Sequence, residues 1–317
     1  MTKLFELLQA SLFMDKPVHL SDWRATFAEM RDQTVAALPG AWLMIHPVDP
    51  SWMRYCCVQQ AKWARVMYAQ GKVIDLLEAH NIPSVIIKGA AAAIYYPHPN
   101  LRTMGDVDVL IRRRDMDRAA EILEANGYTL TEDKDHVDHH YSYCKNEIRV
   151  ELHKRPPFED GEDEELLQLF ESGIDQRVWA TVMGYRFPVL PPVLNGSVLI
   201  LHINHHLRDG VGLRHFIDWM MYVNQLSPAQ WEELRGMLRR MGMEKLALTT
   251  TAMCQKYLGL KSGFSGCETV DPMICDELMA FILEKGNFGR KAKAEGKADA
   301  SAVSSTEQEG LFHRLGI

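Results

Sequence analysis

The chain has 317 residues, of which 47% are hydrophobic, and a formal net charge of −7 at pH 7. This length suits one large domain or two ordinary ones, and the acidic balance argues against a surface that coats nucleic acid. No apolar run reaches 18 residues, so no membrane span is expected. Residues 1–16 lack the basic start and continuous apolar core of a signal peptide.

The cysteines show no Cys-x-x-Cys spacing, which argues against a zinc or redox motif. We therefore expect free thiols in a reducing compartment, and a cytoplasmic location, rather than a disulfide framework. The six cysteines are Cys56, Cys57, Cys144, Cys254, Cys267 and Cys275.

The first part of the chain is predicted to be helical. Ser21 or Asp22 can cap a helix that runs to about residue 37. Apolar residues at helical spacing predict a longer helix over 51–80. Residues 1–81 are therefore predicted to form an N-terminal helical region.

The pattern changes at residue 82. Short β-branched or alternating runs predict strands, and the runs between them predict helices and a loop that contains Pro97 and Pro99. Strand, helix, strand, helix, strand, strand is the order of a compact α/β or α+β unit, which we place at 82–157. The predicted strands are 84–87, 107–111, 139–144 and 147–153, and the predicted helices are 90–95 and 115–126.

The remainder is predicted to be mainly helical. The acidic run 159–165 is expected on a solvated face, and Ser227-Pro228-Ala229-Gln230 is a strong helix start. Residues 158–288 are predicted to form a helical C-terminal domain. Residues 289–317 begin with a long small and charged segment and are predicted to be a mobile charged tail.

The first chemical signal is Asp106-Val107-Asp108 at the start of a predicted strand. Residues i and i+2 of a strand point the same way, so the two carboxylates are expected side by side. Unpaired carboxylates at that distance repel, and one is expected to take up a proton. A hard divalent cation such as Mg²⁺, held together with substrate phosphates, is the usual reason for such a pair.

A third carboxylate strengthens this interpretation. Glu151 alternates with Ile148, Val150 and Leu152, so it is expected on the polar face of its strand. If that strand lies beside the Asp106–Asp108 strand, the three carboxylates can meet. Three carboxylates can hold two Mg²⁺ ions about 3.5–4 Å apart, with Mn²⁺ as an alternative.

These positions resemble the motif of the nucleotidyltransferases of the DNA polymerase beta superfamily. That motif is a Gly and a small residue at a strand end, then Asp-x-Asp, then a later Asp or Glu. The wider pattern is similar to a bacterial branch known as uncharacterised nucleotidyltransferases, and it extends through most of the chain. The matching residues are Lys88-Gly89, Tyr96-Pro97, Arg102, Gly105-Asp106, Asp108, Glu151-Leu152-His153, residues 202–218 and Gly286-Asn287-Phe288-Gly289.

The resemblance implies an α+β fold with a polymerase-beta-like core, a small mixed sheet with helices, embedded in N- and C-terminal helical segments. It implies Asp106 and Asp108 as ligands of both metals and Glu151 as a ligand of the catalytic one. It also implies that the helical half closes over the nucleotide. The residues expected to bind nucleotide are Lys88, Gly89, Ala90, Arg102, His206 and Arg214.

Ala90 departs from the family pattern, which usually has Ser or Gly at this place. A Ser hydroxyl would contact phosphate and Ala cannot, although backbone N–H groups at the following helix can still do so. Alternatively, Lys88 is a surface lysine, and Arg102 only pairs with a nearby carboxylate. His153, Tyr95 and Tyr96 are interpreted as packing residues, and Asp218 is a further candidate for the cleft.

A second cluster contains His202, His205 and His206, which share part of one helix face. Two of them with Asp209 have the ligand types of a zinc site. No established zinc signature is present, so a hydrogen-bonded network between helices is the preferred interpretation.

The main functional hypothesis is a Mg²⁺-dependent enzyme that moves a nucleoside monophosphate from an NTP to an acceptor hydroxyl and releases pyrophosphate. ATP is the default donor, and a small molecule or protein acceptor is favoured over long nucleic acid. One alternative is a degenerate transferase that binds nucleotide or a partner without turnover. Another is a metal-dependent hydrolase that uses the histidine cluster. The acceptor, the preferred base and the oligomeric state do not follow from the motif.

Overall fold

The computed structural model describes residues 3–14, 16–131, 140–157, 163–289, 291 and 301–317. Its helices are α1 (Lys3–Gln9), α2 (Trp23–Asp32), α3 (Gly40–Ile45), α4 (Pro50–Ala79), α5 (Gly89–Ala93), α6 (Met116–Ala125), α7 (Glu164–Asp175), α8 (Pro192–Leu207), α9 (Leu213–Val223), α10 (Pro228–Arg240), α11 (Glu244–Met253), α12 (Pro272–Lys285) and α13 (Ser301–Leu315). Its strands are β1 (Ser84–Ile86), β2 (Val107–Ile111), β3 (Thr129–Leu130), β4 (His140–Lys145), β5 (Ile148–His153), β6 (Val178–Val182) and β7 (Tyr185–Val189).

Across the described ranges, the strands form one mixed sheet in the order β3-β4-β5-β2-β1-β7-β6. β1 runs antiparallel to β2 and parallel to β7, while β2 and β5 are parallel neighbours. The α+β fold class with helical segments around a small mixed sheet is confirmed. The parallel β2–β5 pair lies near the centre of the sheet.

The two faces of the sheet are buried by different helices. On one face, Val107, Val109 and Val150 pack with apolar residues of α4 and α6. On the other face, Val85, Ile87 and Leu110 pack against α7 and the first half of α8. Because strand residues alternate between faces, Asp108 shares the second face with Leu110.

The helical half has a core of its own. The N-terminal helices α1–α3 pack with α9–α12 and the end of α8, so both ends of the chain contribute to one helical body. Helix α4 joins the two halves, because Trp52 and Cys56 lie in the helical core and Trp63 and Val66 lie against the sheet. This long helix has a Pro at its first turn and an Asp49 side-chain cap, as is favourable at a helix start.

Several elements agree closely with the sequence. The helix predicted over 51–80 is α4, the strands predicted over 107–111 and 147–153 are β2 and β5, and Ser227 forms a complete capping box on α10. The helix predicted over 21–37 ends earlier, at Asp32. Position 139 of a predicted strand, and positions 159–162 of the acidic run, lie outside the described residues.

The sheet extends beyond the predicted core at 82–157. Strands β6 and β7 form a hairpin that pairs with β1, so residues up to Val189 belong to the sheet. The hairpin turn places Met183 and Gly184 at positive φ, as a tight two-residue turn requires. The segment predicted to be mainly helical therefore contributes two strands before its helices begin.

The end of the chain also differs from the prediction of a mobile tail over 289–317. Residues 301–315 form α13, and Leu311, Phe312 and Leu315 are buried in the helical core. These apolar residues, at helical spacing, explain why the segment packs. Residues 290 and 292–300, which hold most of the small and charged run, lie outside the described residues.

A buried polar cluster of Tyr96, Arg102 and Asp218 connects the sheet to the helical half. Asp218 on α9 accepts hydrogen bonds from Nε and Nη2 of Arg102, at 2.7 and 2.6 Å, and from the Tyr96 hydroxyl, at 2.7 Å. Arg102 and Tyr96 belong to the segment between α5 and β2, and all three side chains are buried. A bidentate pair of this geometry fixes both position and orientation.

We expect Asp218→Ala to reduce the free energy of unfolding by about 3–5 kcal/mol, because it leaves the Arg102 guanidinium buried without its partner. Urea unfolding followed by circular dichroism would measure the loss. Glu309→Gln is the matched control, since its partner Arg208 is exposed and such pairs are worth about 0–1 kcal/mol. Equal, small effects in both variants would contradict the role given to the buried cluster.

Candidate active site

The carboxylates converge at one end of the central parallel pair. β2 and β5 are in register, with Asp108 directly opposite Glu151. Asp106 immediately precedes β2 and therefore points to the same face as Asp108. The sequence alone could only assume that the strand of Asp108 pairs with the strand of Glu151. The structure shows this pairing.

Two basic side chains meet Asp108. The Lys88 Nζ atom lies 2.9 Å from Asp108 Oδ1, and the ion pair is almost fully buried. The His153 Nε2 atom lies 2.9 Å from the same oxygen and 3.4 Å from Glu151 Oε2. The buried ammonium of Lys88 therefore neutralises one carboxylate, and His153 adds a second polar contact to it.

The backbone of Lys88 is strained. It has φ 55° and ψ −128°, a conformation normally left to glycine. Such a conformation costs about 1–3 kcal/mol for a residue with a side chain and is typically retained at functional sites. Gly89, which the motif emphasises, has no positive φ, and a Cβ there would meet its nearest neighbour at an ordinary 3.6 Å. The unusual turn therefore falls on the lysine that meets Asp108.

The three carboxyl groups do not titrate alike. Burial and the charges of Asp108 and Glu151 raise the pKa of Asp106 to about 6, in the direction expected when neighbouring carboxylates repel. Burial opposes ionisation of Asp108 too, but Lys88 and His153 outweigh it and hold the pKa of Asp108 well below its usual value. Burial is likewise outweighed at Glu151, where the hydrogen bond with His153 lowers the pKa.

The carboxylates open into a cleft of about 580 Å³ between the sheet and the helical half. This volume is in the range of sites for small molecules and cofactors. Basic and imidazole side chains from both the sheet and the helical half line the cleft. They include Lys62, His140, Arg149, His202, His205, His206 and Arg214.

Of the predicted nucleotide-binding residues, Lys88, His206 and Arg214 line this cleft. Arg214 is noteworthy because its Nη1 atom donates to the Thr103 carbonyl oxygen at 3.2 Å, while its buried Nε has no hydrogen-bond partner among the described residues. Burial and the nearby Arg102 lower the pKa of Arg214. A buried cation with an unused donor is suited to an anionic ligand.

The other predicted contacts lie elsewhere. Arg102 does not line the cleft, because its guanidinium is committed to Asp218, and Asp218 is not a cleft residue either. This corrects the expectation that Arg102 contacts phosphate. Gly89 and Ala90 begin the short helix α5 directly after Lys88, and Ala90 is buried. Tyr96 is buried in the Asp218 cluster and Tyr95 packs on Tyr222, as packing residues.

The histidines of the helical wall form a packed cluster. His202 has ring centroids 4.7 Å from His206 and 4.8 Å from His215. Burial, joined by the charge of Lys88, holds the pKa of His202 well below its usual value, and burial with His205 lowers the pKa of His206 to about 3. These rings are therefore neutral hydrogen-bonding groups at pH 7.

One set of side chains can hold a metal ion in the part of the chain that the structure describes. Ligand atoms of Asp108, Glu151 and His153 all lie within 4.8 Å of one another. The helical histidines with Asp209 do not form such a group there, which removes the geometric basis of the zinc hydrolase hypothesis. Buried oxygen ligands facing a basic cleft fit a divalent cation held together with phosphate.

His153 was interpreted as a residue that covers the sheet face of Glu151, and the structure places it against the carboxylates of that face. It is fully buried and faces both carboxylates. The signal was its spacing, because residue 153 follows Glu151 by two and so shares its face.

The site thus joins an Asp–Glu pair, in register on parallel strands, to a basic cleft. The sequence matches the model of a family described as uncharacterised nucleotidyltransferase over residues 21–259, about three quarters of the chain. The protein therefore belongs to this family. A search of curated proteins finds no match.

Solved structures show more distant similarity. The antibiotic-resistance factor ANT(2″)-Ia in solution is 12% identical with a TM-score of 0.40, covering 57% of this chain and 93% of its own. The same factor in complex with adenylyl-2″-tobramycin is 14% identical with a TM-score of 0.41, covering 55% and 97%. An antigenic nucleotidyltransferase-like protein from Paracoccidioides brasiliensis is 15% identical with a TM-score of 0.39, covering 62% and 93%.

Among the described residues, no helix is both long enough and apolar enough to cross a membrane.

The raised pKa of Asp106 has a consequence for stability. Its value of about 6 lies above the ordinary 3.8, so the folded state binds the proton more tightly than the unfolded state. The protonated Asp106 carboxyl therefore contributes to the free energy of unfolding. This contribution is fully present below pH ~4 and is lost as the pH rises through ~6. We therefore expect Asp106→Asn to gain stability relative to the native sequence as pH rises from ~4 to ~6, with a constant difference above that.

Urea unfolding at pH 4, 5, 6 and 7.5, with a chelator present, measures this difference. Glu147→Gln is the matched control, because Glu147 is exposed and pairs only with Arg65 among the described residues. A stability difference for Asp106→Asn that is independent of pH would contradict the repulsion described here.

Proposed function

We propose that the protein transfers a nucleoside monophosphate from an NTP to an acceptor hydroxyl in this cleft. Asp106 and Asp108 are assigned to both divalent ions and Glu151 to the catalytic one, with Mg²⁺ or Mn²⁺ as the ion. The observation that carries the proposal is the register of Asp108 opposite Glu151, with Asp106 beside them, at the mouth of a basic cleft.

The reaction forms a bond between the acceptor oxygen and the α-phosphorus and breaks the bond from that phosphorus to the bridging oxygen. Pyrophosphate leaves, and the acceptor proton passes to Glu151 or Asp108 and then to solvent. Bound divalent ions would neutralise the triphosphate and lower the pKa of the attacking hydroxyl. The protein's part in such chemistry is mainly positioning and electrostatic stabilisation.

Lys88 and Arg214 are proposed to bind the phosphates. Despite burial, the charges of Asp108 and Glu151 hold the pKa of Lys88 above its usual value, so the side chain is an ammonium. It neutralises Asp108 before ligands arrive and lies close enough to turn to a phosphate. Arg214 supplies its unused Nε donor from the opposite wall, and the neutral His206 can donate or accept a hydrogen bond.

The backbone N–H groups of Gly89 and Ala90 remain proposed phosphate contacts, since the hydroxyl that a Ser would offer is missing. ATP is the default donor. The cleft volume of about 580 Å³ favours a small molecule, or the side chain of a protein, as acceptor. The alternative, a nucleotide-binding protein without catalytic activity, rests on Ala90. The experiments below distinguish it from an active enzyme.

The first experiment is thermal unfolding with each of four NTPs and Mg²⁺ or Mn²⁺. A ligand at 100 times its Kd adds about 2.7 kcal/mol to the folded state, so the donor that binds is expected to raise Tm. Asp106→Ala/Asp108→Ala is expected to lose the ion-dependent part of the shift. Glu147→Gln is expected to keep it. Equal shifts in both variants would overturn the site.

Measurement of turnover distinguishes a nucleotidyltransferase from a protein that only binds nucleotide. Pyrophosphate release from the stabilising NTP, supplied with a mixture of hydroxyl-bearing acceptors, is expected to fall by at least about 100-fold in Asp108→Asn, because even an outer partner of a metal ligand is worth 10- to 100-fold. Full release in this variant would contradict the catalytic assignment. A Tm shift with no release for any acceptor would favour the non-catalytic alternative.

Arg214→Met tests the opposite wall. Loss of a charge-assisted hydrogen bond, worth about 1.5–3 kcal/mol, is expected to raise the Kd for the NTP by about 10- to 100-fold. Isothermal titration calorimetry measures the affinity, with Arg240→Met as control because Arg240 is an exposed cation that does not line the cleft. Unchanged affinity in Arg214→Met would remove this residue from the phosphate site.

A further inference from the structure

We propose that His153 is a direct ligand of the ion held by Asp108 and Glu151, and that the site consequently prefers a first-row transition ion such as Mn²⁺ to Mg²⁺. This inference rests on the proposed function, which needs a divalent ion at these carboxylates. It adds a nitrogen ligand that the three-carboxylate assignment does not contain.

The position of the ring carries the proposal. His153 follows Glu151 by two residues on β5, so both side chains leave the same face of the sheet. The imidazole is fully buried and aims Nε2 at the carboxylates, 2.9 Å from Asp108 Oδ1 and 3.4 Å from Glu151 Oε2. A residue that merely covered a sheet face would not need this orientation.

These separations are those of neighbouring ligands on one ion. Metal–ligand bonds of about 2.1 Å at right angles place adjacent ligand atoms about 3 Å apart. The two distances from Nε2 lie on either side of that value. The three ligand atoms also fall within 4.8 Å of one another, so a single ion can reach all of them after small side-chain adjustments.

The donor set then decides which ion is favoured. Mg²⁺ takes oxygen ligands and keeps several waters, whereas imidazole nitrogen suits transition ions better. A site with two carboxylates and one imidazole therefore gains more affinity for Mn²⁺ than for Mg²⁺. Ligation through Nε2 requires the tautomer that carries its hydrogen on Nδ1.

The competing role for His153 is positioning. In that case Nε2–H donates a hydrogen bond to Asp108 and orients the carboxylate, and the ion is bound by oxygen alone. Removing His153 would then weaken Mn²⁺ and Mg²⁺ by similar factors. The two roles thus differ in whether nitrogen touches the ion, and that difference can be measured directly.

Pulsed electron paramagnetic resonance of Mn²⁺ bound to the full chain, without nucleotide, detects a directly bonded imidazole through its ¹⁴N coupling. We expect this coupling in the native sequence and its loss in His153→Gln. His140→Gln is the matched control, because His140 lies on the adjacent strand with Nε2 4.0 Å from Glu151 Oε2. It is expected to keep the coupling.

In native protein labelled with ¹⁵N-histidine, the ¹⁴N coupling must change to that of ¹⁵N, which shows without any substitution that the bound nitrogen belongs to a histidine. This measurement stands even if His153→Gln fails to fold. Titration of Mn²⁺ and Mg²⁺ adds the selectivity: His153→Gln is expected to weaken Mn²⁺ by about 10- to 100-fold, with a much smaller change for Mg²⁺.

Three outcomes would overturn the inference in distinguishable ways. Mn²⁺ that binds without a histidine coupling, with the affinity reduced in Asp108→Asn, removes His153 as a ligand and leaves the proposed function standing. Equal weakening of both ions in His153→Gln makes it a positioning residue. Mn²⁺ affinity that is unchanged in Asp108→Asn overturns the ion site itself, and the proposed function with it.

Discussion

The structure depends on the grouping of three carboxylates, one buried and two partly buried, at one end of two parallel strands. Parallel pairing puts Asp108 opposite Glu151, and alternation adds Asp106 to the same face. Like charges held this close resist ionisation in a buried place, so the fold must supply positive charge nearby. Lys88 supplies it through one oxygen of Asp108, which His153 also contacts. The strained backbone of Lys88 is understandable in these terms, because it brings the ammonium to that oxygen.

The opposite wall of the cleft follows the same constraint. A helix that faced the carboxylates with more acid would add to the repulsion, and a helix with only apolar residues would leave nothing to hold phosphate. The wall instead offers neutral imidazoles and Arg214. The Arg102–Asp218 pair joins the segment before β2 to α9, the helix that carries Arg214. It does so without lining the cleft.

The sequence predicted the parts of the fold that are determined locally. The 30-residue helix α4 and the strands β2 and β5 follow from apolar periodicity, and the carboxylate site follows from the Asp-x-Asp spacing with Glu151. Periodicity does not reveal which strands are neighbours. The parallel β2–β5 pairing was an assumption until the structure supplied it. The strands of the β6–β7 hairpin were themselves not predicted, because residues 158–288 were assigned as mainly helical.

The roles of individual basic residues were harder to predict, because they depend on contacts distant in sequence. Arg102 was expected at phosphate, yet its partner Asp218 lies more than a hundred residues away. His153 was interpreted as a packing residue although its spacing from Glu151 already placed it on the site face. Leu311 and Phe312 in α13 show a third case, in which a few apolar residues after a charged segment are enough to dock a helix.

X-ray diffraction from crystals of the full chain with Mn²⁺ and a non-hydrolysable NTP would test the central claim most directly. The account predicts anomalous density from Mn²⁺ about 2.2 Å from oxygens of Asp108 and Glu151, with the triphosphate between the ion and Arg214. Lys88 is then expected to have left Asp108 for a phosphate oxygen. Nucleotide bound outside this cleft, or anomalous density away from all three carboxylates, would contradict the account.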